Sequence, residues 1–427
     1  MTLKQSSPIH SPGLLPCLAI IVCLFSGFYL LSKTFAGEKI PDSKAANALK
    51  PFPQNGHFSF HGVLPGCRSP DQLNQAVGDY YRYWKGKYLV PSVTVKGDYK
   101  IKYDSHNRTV SEAMGYGMII TAYMAGADPE AKKLFDGLDR FRRRFPSDIN
   151  PSLMCWRVST EEIAHRDDCA TDGDMDMAFA LLLAHDQWGD PSYLAEATGL
   201  IREIERSLVR PDYSIRLGDW NDEPGQIRLS DFMPTHLRAF YEASGDELWT
   251  KVEAKGYSII RDLQSNSAKS TGLFPDFAVL DGEGWKPVKA KFLESSYDGS
   301  FSYNSCRVPW RIGWAASYLQ DPRASEILTP FMKWITSLHQ YPREFKDGYH
   351  LNGKSLPNTE GENSCFISPT GVAAMSGTNR PWLDSTFQFA AQSRGNYYND
   401  SINMLCLLVM TGNAWLPTLH AGRSPDS

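Results

Sequence analysis

Three carboxylates at alternate positions form the most chemically distinctive stretch of this sequence. Asp172, Asp174 and Asp176 stand in the string ATDGDMDMAFALLLAHDQW, residues 170–188. An Asp-x-Asp-x-Asp run can begin a calcium-binding loop, but that loop needs Gly at its sixth position and a bidentate Glu at its twelfth. These positions hold Met177 and Leu183. The sequence therefore excludes this calcium loop and leaves the carboxylates available for acid–base or electrostatic chemistry.

The residues that follow the carboxylates predict a helix that is apolar on almost every face. Methionine, alanine, phenylalanine and leucine continue to Trp188, and a helix without a polar face is buried in a protein. Its first N–H groups and its dipole favour negative charge, so Thr171 or Asp172 can cap it and Asp172 would be held ionised. A helix cap is the usual role of a single Asp at such a position. A role in catalysis is the alternative.

Glu112 is a second acidic candidate. Residues 109–112, Thr-Val-Ser-Glu, have the pattern of a capping box, in which the Glu side chain reaches back to the helix N-cap. A cap does not explain Gly115 and Gly117, because each glycine in a helix interior costs up to about 1 kcal/mol relative to alanine. We therefore expect another segment of the chain to approach this backbone closely.

Both strings resemble the signatures of glycoside hydrolase family 8. Residues 170–188 are similar to the family's A-T-D-G-D, its M-A with an aliphatic run and its final Trp, and residues 111–118 are similar to S-E-x-x-G-Y-G-M. The resemblance covers roughly residues 57–415 and implies an (α/α)6 barrel with a cleft at the N-terminal ends of the inner helices. It also implies that Glu112 is the general acid, that Asp172 holds the sugar before the scissile bond, and that the anomeric centre is inverted.

The general base is harder to assign, because an expected aspartate is absent. In one branch of the family the base is the Asp of a Y-D-x-x-R motif, but this sequence has Asn304 there, and a neutral amide cannot take a proton from water. A second branch, containing chitosanases and lichenases, has Asn at this position and takes its base from an inserted loop. The link 266–302 holds the candidates Asp276, Asp281, Glu283, Glu294 and Asp298. Because the sequence around Glu294 resembles the second branch, Glu294 is the predicted base. The alternative is that Glu294 is a solvated loop glutamate without a catalytic role.

Seven further residues are predicted to contact a sugar chain, by resemblance or by their position in links between helices. They are Tyr116, Trp156, Trp220, Tyr303, Asn304, Arg307 and Tyr397. Flat aromatic faces suit sugar rings, although aromatic residues also fill protein cores. The sequence has no C-x-x-C and no H-E-x-x-H, so neither a metal nor a cofactor is predicted.

A repeated helical hairpin surrounds these candidates. Four times an apolar helix ends in a short turn that carries an aspartate, and a more charged helix follows. The turn aspartates are Asp128, Asp190, Asp246 and Asp321. Two more helices are predicted at residues 70–88 and 397–409. Alternating buried and half-exposed helices pack as one ring within another, whereas the links here are too long for the rival α-solenoid. We therefore predict an all-α fold, an (α/α)6 barrel.

The first 36 residues are predicted to be a targeting segment. Residues 14–31 are an uncharged apolar run, which fits either a signal peptide or an uncleaved membrane anchor. Residues 37–56 are polar and rich in proline, and are predicted to be a linker; residues 57–427 are predicted to be the catalytic domain. We expect this domain to be secreted, periplasmic or tethered to a membrane, outside the cytoplasm.

Composition and cysteine placement complete these expectations. The net charge of −4 offers no basic surface for nucleic acid, and we expect a monomer. Export permits disulfides, and Cys155 and Cys169, which bracket a short loop, are the favoured pair.

Two functions are expected from these features. The first is an exported, endo-acting, inverting glycosidase that cleaves a β-1,4-linked or mixed-linkage polysaccharide, with chitosan and β-glucan as the leading substrates. The second is a carbohydrate-binding or polysaccharide-assembly protein that kept the barrel but lost turnover along with the aspartate. The presence of Glu112 and Asp172 together with a replacement carboxylate favours the first.

Overall fold

The helices of the computed structural model alternate between two layers. The structure describes residues 48–58, 60–163, 167–377 and 379–418, so the predicted targeting segment lies outside the described residues. Within these ranges twelve α-helices follow one another: α1 (Pro70–Tyr88), α2 (Ser111–Tyr123), α3 (Ala131–Arg143), α4 (Thr171–Trp188), α5 (Pro191–Leu208), α6 (Pro234–Ser244), α7 (Leu248–Ser267), α8 (Val308–Tyr318), α9 (Pro322–Leu338), α10 (Ser364–Ala374), α11 (Arg380–Gln392) and α12 (Tyr397–Met410). No helix in this part of the chain is long and apolar enough to cross a membrane.

The even-numbered helices form an inner ring, and the odd-numbered helices surround it. Each inner helix packs against the next, and α12 returns to α2, so the ring is closed. Inner helices such as α2, α4 and α8 are buried on nearly every face. Outer helices such as α5 and α9 bury one face only. The prediction of an (α/α)6 barrel is confirmed.

The four predicted turns join inner to outer helices, and all four contain the same hydrogen bond. In each turn the aspartate accepts a hydrogen bond from the backbone N–H two residues ahead, at distances of 2.8–3.0 Å. Gly189 and Gly245 precede two of these aspartates and adopt left-handed φ angles of 68° and 70°, which end α4 and α6 without steric strain. An aspartate after a short C-terminal turn therefore signals each of these hairpins correctly.

The hairpin formed by α10 and α11 was not predicted. Pro369 lies inside α10, and proline in a helical pattern usually marks an end, because it lacks an N–H and crowds the preceding turn. Burial explains the exception, since every residue of α10 is buried. Packing within the ring outweighs the local preference of proline.

Short strands occupy the links that lead from outer to inner helices. In the described residues, β1 (Leu89–Pro91) pairs with β2 (Tyr99–Ile101), and β3 (Thr109–Val110) pairs with β4 (Arg157–Val158). The strands β5 (Gln226–Arg228), β6 (Phe277–Asp281) and β7 (Gly284–Pro287) form one antiparallel sheet in that order. These links are therefore folded structures at the mouths of the inner helices.

The two glycines of α2 stand where neighbouring segments come close. A Cβ added to Gly115 would lie 2.6 Å from Asp176 Cβ and 3.1 Å from the Gly173 carbonyl oxygen. A Cβ added to Gly117 would collide with Ile101 of β2. The expected close approach is confirmed, and it lets α2 and α4 pack backbone to backbone.

The described part of the predicted linker, residues 48–56, is bound to the barrel. Leu49 N–H donates to the Gln187 carbonyl at 2.8 Å, Lys50 Nζ lies 2.7 Å from Asp186 Oδ2, and Phe52 is buried. Hydrophobic burial and these pairings make this stretch part of the barrel rather than a free linker.

The predicted disulfide between Cys155 and Cys169 is not formed, and both residues are free thiols. Their backbones pair as an antiparallel bridge, but the Cys155 thiol donates instead to the Arg157 carbonyl at 3.2 Å. The disulfide prediction was wrong because the side chain faces its own loop.

Candidate active site

A cleft of about 530 Å³ opens where the inner helices begin. Glu112 is the second residue of α2, and Asp172 is the second residue of α4. Arg307 directly precedes α8, and Tyr397 is the first residue of α12. All four line the cleft. The ring therefore brings residues from distant parts of the chain to one mouth, at the expected end of the barrel.

Glu112 faces the cleft and does not cap its helix. Helix α2 begins directly after β3, so its N-cap is Val110, which makes no side-chain cap hydrogen bond. Glu112 Oε2 accepts a hydrogen bond from Arg307 Nη1 at 2.9 Å, and its Oε1 accepts from the Tyr397 hydroxyl at 3.0 Å. The capping-box interpretation was wrong, because the strand pairing of β3 sets the start of the helix.

Asp172 is likewise not a side-chain cap. The N-cap of α4 is Ala170, without a side-chain cap hydrogen bond. Asp172 Oδ2 accepts from Arg307 Nη1 at 2.7 Å, and its Oδ1 accepts from its neighbour Gly173 N–H at 3.0 Å. One guanidinium nitrogen of Arg307 therefore serves both Asp172 and Glu112.

The two carboxyl groups that share Arg307 differ in protonation. Burial raises the pKa of Glu112 to about 7, against the opposing charge of Arg307 and with the support of the Asp172 carboxylate. Burial acts in the same direction on Asp172, but the guanidiniums of Arg307 and Arg228 hold its pKa below the usual value. Below about pH 7 this pair therefore favours a proton on Glu112 and a negative charge on Asp172, an arrangement that suits a general acid beside a charge-stabilising group.

Glu294 reaches the same cleft from the long link between α7 and α8. Its Oε2 accepts from Asn304 Nδ2 at 2.8 Å, and its Oε1 accepts from Arg228 Nη2 at 3.1 Å. Asn304 Oδ1 accepts from Arg307 Nη2 at 3.0 Å. This contact fixes the direction of the Asn304 amide. The amide connects Glu294 to the same arginine that holds Glu112.

Two other carboxylates of this link hold its backbone in place. Buried Asp298 accepts from the N–H groups of Leu293, Glu294 and Ser295 at 2.7, 3.0 and 2.7 Å. These contacts set the turn that presents Glu294. A carboxylate occupied in this way supports the link and is not directed at the cleft.

Asp276 does the same for the segment that carries Asn304. It accepts from the N–H groups of Ser302, Asn304 and Ser305 at 3.1, 3.1 and 2.7 Å. Burial raises the pKa of Asp276 to about 7 despite these donors. Asp276 is therefore a buried acceptor behind the cleft.

The last two candidates of this link lie at the tip of the β6–β7 hairpin. Asp281 and Glu283 pair with Lys286 at 2.9 and 2.7 Å on the surface. Of the five carboxylates considered as base, Glu294 is the one that lines the cleft.

Five of the seven predicted sugar-contact residues line the cleft: Trp156, Tyr303, Asn304, Arg307 and Tyr397. Tyr116 is fully buried behind it and accepts a hydrogen bond from Arg307 Nη1 at 3.3 Å. Trp220 is exposed but does not line it. A larger cavity, about 1220 Å³ beside α3 and α5, contains none of the predicted site residues.

The structure adds seven residues to the lining: Tyr103, Val110, Ser111, Ala170, Arg228, Asn396 and Tyr398. Asn396 and Tyr398 flank Tyr397 at the start of α12, so the rule that helix mouths face the cleft could have identified them. No sequence signal marked Arg228, which belongs to a strand that was not predicted.

The carboxylates that follow Asp172 support the inner ring. Asp176 binds Arg311 through two contacts of 2.9 and 2.7 Å and lies 2.8 Å from His236 Nε2, with all three side chains fully buried. Burial lowers the pKa of His236 to about 4, so its imidazole is neutral. Asp174 accepts from Met154 N–H at 2.9 Å. The Asp176 cluster joins α4, α6 and α8 directly below the cleft.

Three carboxyl groups, Glu112, Asp172 and Glu294, meet in one cleft at the mouth of this ring, and paired carboxyl groups in a cleft are what cleavage of a glycosidic bond uses. Fold and site together thus define a glycosidase built on an (α/α)6 barrel. The family model described as glycosyl hydrolases family 8 matches residues 72–412. The chain belongs to this family.

Relatives and solved structures agree with this assignment. The β-glucanase of Niallia circulans is 40% identical over 93% of this chain and 97% of that protein. The endoglucanase of Bacillus sp. (strain KSM-330) is 37% identical over 88% of this chain and 84% of that protein. The apo structure of β-1,3-1,4-glucanase from Paenibacillus sp. X4 has a TM-score of 0.83 at 41% identity, and the match covers 86% of this chain and 99% of that one.

Proposed function

We propose that this chain is an endo-acting, inverting hydrolase of β-glucan, and that mixed-linkage β-1,3-1,4-glucan is its preferred substrate. The observation that carries the reaction is the cleft in which Arg307 and Tyr397 hold Glu112 while Asn304 and Arg228 hold Glu294 at the same mouth. The choice of substrate is supported by the 41% identity with the Paenibacillus β-1,3-1,4-glucanase.

In the proposed reaction Glu112 donates its proton to the glycosidic oxygen as the bond from that oxygen to the anomeric carbon breaks. A water molecule attacks the anomeric carbon from the opposite face, and Glu294 takes the proton that the water loses. Asp172, held ionised, stabilises the positive charge that develops on the sugar ring. Proton exchange with solvent then returns Glu112 and Glu294 to their starting states.

The charge of the cleft favours a neutral polysaccharide over chitosan. Glu294 is paired with Arg228 at 3.1 Å, and Asp172 is paired with Arg307 at 2.7 Å, so both of these cleft carboxylates already have a cationic partner. An amino-sugar polymer carries ammonium groups, which need carboxylates that are not already paired. The cleft lining supplies no such carboxylate among the described residues.

Asn304 does not make the site inactive, because Glu294 can take the proton that an Asp at this position would have taken. This weakens the case for a binding protein without turnover. It leaves hydrolysis as the function that the geometry supports best.

The substrate and the stereochemistry are tested together. Reducing ends should form fastest on lichenan or cereal mixed-linkage glucan and slowest on chitosan, with carboxymethylcellulose and xylan as comparisons. Proton NMR of the first product should show the α-anomer, because water attacks opposite the β-linked leaving group. An initial β-anomer would rule out the mechanism, and a preference for chitosan would overturn the substrate assignment.

Export is a separate part of the proposal and is supported by the apolar run at residues 14–31. Cell fractionation and N-terminal sequencing test it. We expect activity outside the cytoplasm, on a chain that either begins near residue 37 or is retained at the membrane. Activity confined to the cytoplasm would contradict export.

A further inference from the structure

Arg228 contacts or faces three carboxyl groups from one position, and two of them, Asp172 and Glu294, line the cleft. Its Nη2 donates to Glu294 Oε1 at 3.1 Å. Its Nη1 lies 3.9 Å from Asp172 Oδ1 and 3.8 Å from Asp231 Oδ1. The side chain lines the cleft but is only 11% exposed. It is therefore a buried cation placed between the predicted base and the aspartate that holds the sugar.

The sheet fixes where this guanidinium lies. Arg228 ends β5 and pairs directly with Phe277 of β6. Its guanidinium carbon lies 5.4 Å from the centre of the fully buried Phe277 ring, which supports it from below. The planar fork of arginine can then hold one partner with each terminal nitrogen.

Glu294 needs such support, because its side chain is 45% exposed on a link without helical structure. Asn304 holds one of its oxygens and Arg228 holds the other. A base must keep an oxygen directed at the attacking water, and displacement by about 1 Å can reduce turnover on the order of a hundredfold. Fixing both oxygens removes that freedom.

We propose that Arg228 is the positioning residue of the general base. This inference rests on the proposed role of Glu294. Arg228 holds the carboxylate of Glu294 in a fixed place relative to Asp172. The base and the sugar-holding aspartate are thereby set by a single side chain.

Arg228 lies among three carboxyl groups and one other cation. It faces Asp172 from α4, Asp231 from the turn after β5 and Glu294 from the long link, and Arg307 is the other cation near this group. Without Arg228 these three carboxylates would face Arg307 alone. Loss of Arg228 would leave Asn304 as the hydrogen-bond partner of the Glu294 carboxylate among the described residues.

The test compares Arg228→Gln and Arg228→Lys with Arg261→Gln, a control on outer helix α7 whose arginine forms a surface pair. For Arg228→Gln we expect kcat on lichenan to fall on the order of a hundredfold with KM within about threefold, since positioning is lost but sugar contacts remain. Arg228→Lys should fall in between, because it keeps the charge without the fork. Arg261→Gln should match the wild type.

A double-variant comparison shows whether Arg228 acts through Glu294. In Glu294→Gly, azide replaces water as the nucleophile, so a residue that only positions Glu294 has nothing left to position. At saturating azide, Glu294→Gly and Glu294→Gly/Arg228→Gln should therefore turn over within a few-fold of each other. Circular dichroism and thermal unfolding of each variant show whether it is folded.

Several outcomes would overturn this inference. In Arg228→Gln, an unchanged kcat or a rise in KM alone would contradict a positioning role. So would an azide-supported turnover of Glu294→Gly/Arg228→Gln that is lower than that of Glu294→Gly by the full factor seen for Arg228→Gln alone. Unfolding of Arg228→Lys would make Arg228 a purely structural cation. Full activity in Glu294→Gln is a different result, because it would remove the base assignment itself.

Discussion

Replacing Glu294 by glutamine should abolish hydrolysis and leave oligosaccharide binding intact. The amide keeps the size of the side chain but cannot take the proton from water, and loss of a general base reduces kcat by roughly 10²–10⁴-fold. Turnover on lichenan and calorimetric binding of a mixed-linkage oligosaccharide measure the two effects. In Glu294→Gly, azide should restore turnover and form an α-glycosyl azide, because the anion attacks from the position of the water while Glu112 still protonates the leaving oxygen.

Glu283→Gln is the matched control, since Glu283 lies on the same link but at the exposed hairpin tip. It should keep full activity. Asp298 and Asp276 are expected to act through the backbone that they hold, so their amide variants should lose stability together with activity. Full activity in all three of Glu294→Gln, Asp298→Asn and Asp276→Asn would exclude a base from this link and return attention to Asp172.

Asn304→Asp extends this test. It would place a second carboxylate at the 2.8 Å contact with Glu294, where two like charges cannot both remain ionised. Activity near neutral pH should fall. The double variant Asn304→Asp/Glu294→Gln again has one carboxylate and one amide in contact, with their positions exchanged. Its turnover on lichenan should therefore exceed that of Glu294→Gln alone.

Replacing Glu112 by glutamine should reduce kcat/KM on lichenan by roughly 10²–10⁴-fold, because the amide cannot protonate the leaving oxygen. The pH dependence of kcat/KM in the wild type tests the same assignment a second way. Since burial raises the pKa of Glu112 to about 7, the fraction of enzyme with a protonated acid falls as pH rises through that value. Wild-type kcat/KM should therefore decline above about pH 7, and the variant should lack that limb.

An aryl oligoglucoside with an acidic phenol as leaving group separates acid catalysis from general damage. Such a group leaves without a proton, so Glu112→Gln should retain much more activity on it than on lichenan. Glu130→Gln, in the turn before α3, is the surface control and should match the wild type. Near wild-type turnover of folded Glu112→Gln on lichenan would refute the acid assignment.

The helices and two of the carboxylates could be predicted because their signals are local. The apolar faces and the turn aspartates identify four hairpins, and the strings around Glu112 and Asp172 stand at the starts of inner helices. The details of those starts could not be predicted in the same way. A capping pattern at Glu112 competes with pairing between β3 and β4, and the pairing depends on residues far away in sequence.

Arg228 was missed for the same physical reason. Its place depends on the pairing of β5 with β6, which joins two links separated by α6 and α7. Neither link has a helical period, and their strands are three to five residues long. The hairpin of α10 and α11 was missed because Pro369 disfavours a helix locally, whereas burial of α10 within the ring stabilises it.

The hydrogen bond between Asn304 and Glu294 bears on how this catalytic centre could have diversified. The resemblance described above implies a branch of the family with an aspartate at this position, and here the Asn304 amide nitrogen lies 2.8 Å from a Glu294 carboxylate oxygen. With Glu294 as the proposed base, the proton acceptors of the two branches would lie about one hydrogen-bond length apart. The acid belongs to a ring helix and the proposed base to a link, so a change of base alters the link and leaves the barrel as it is.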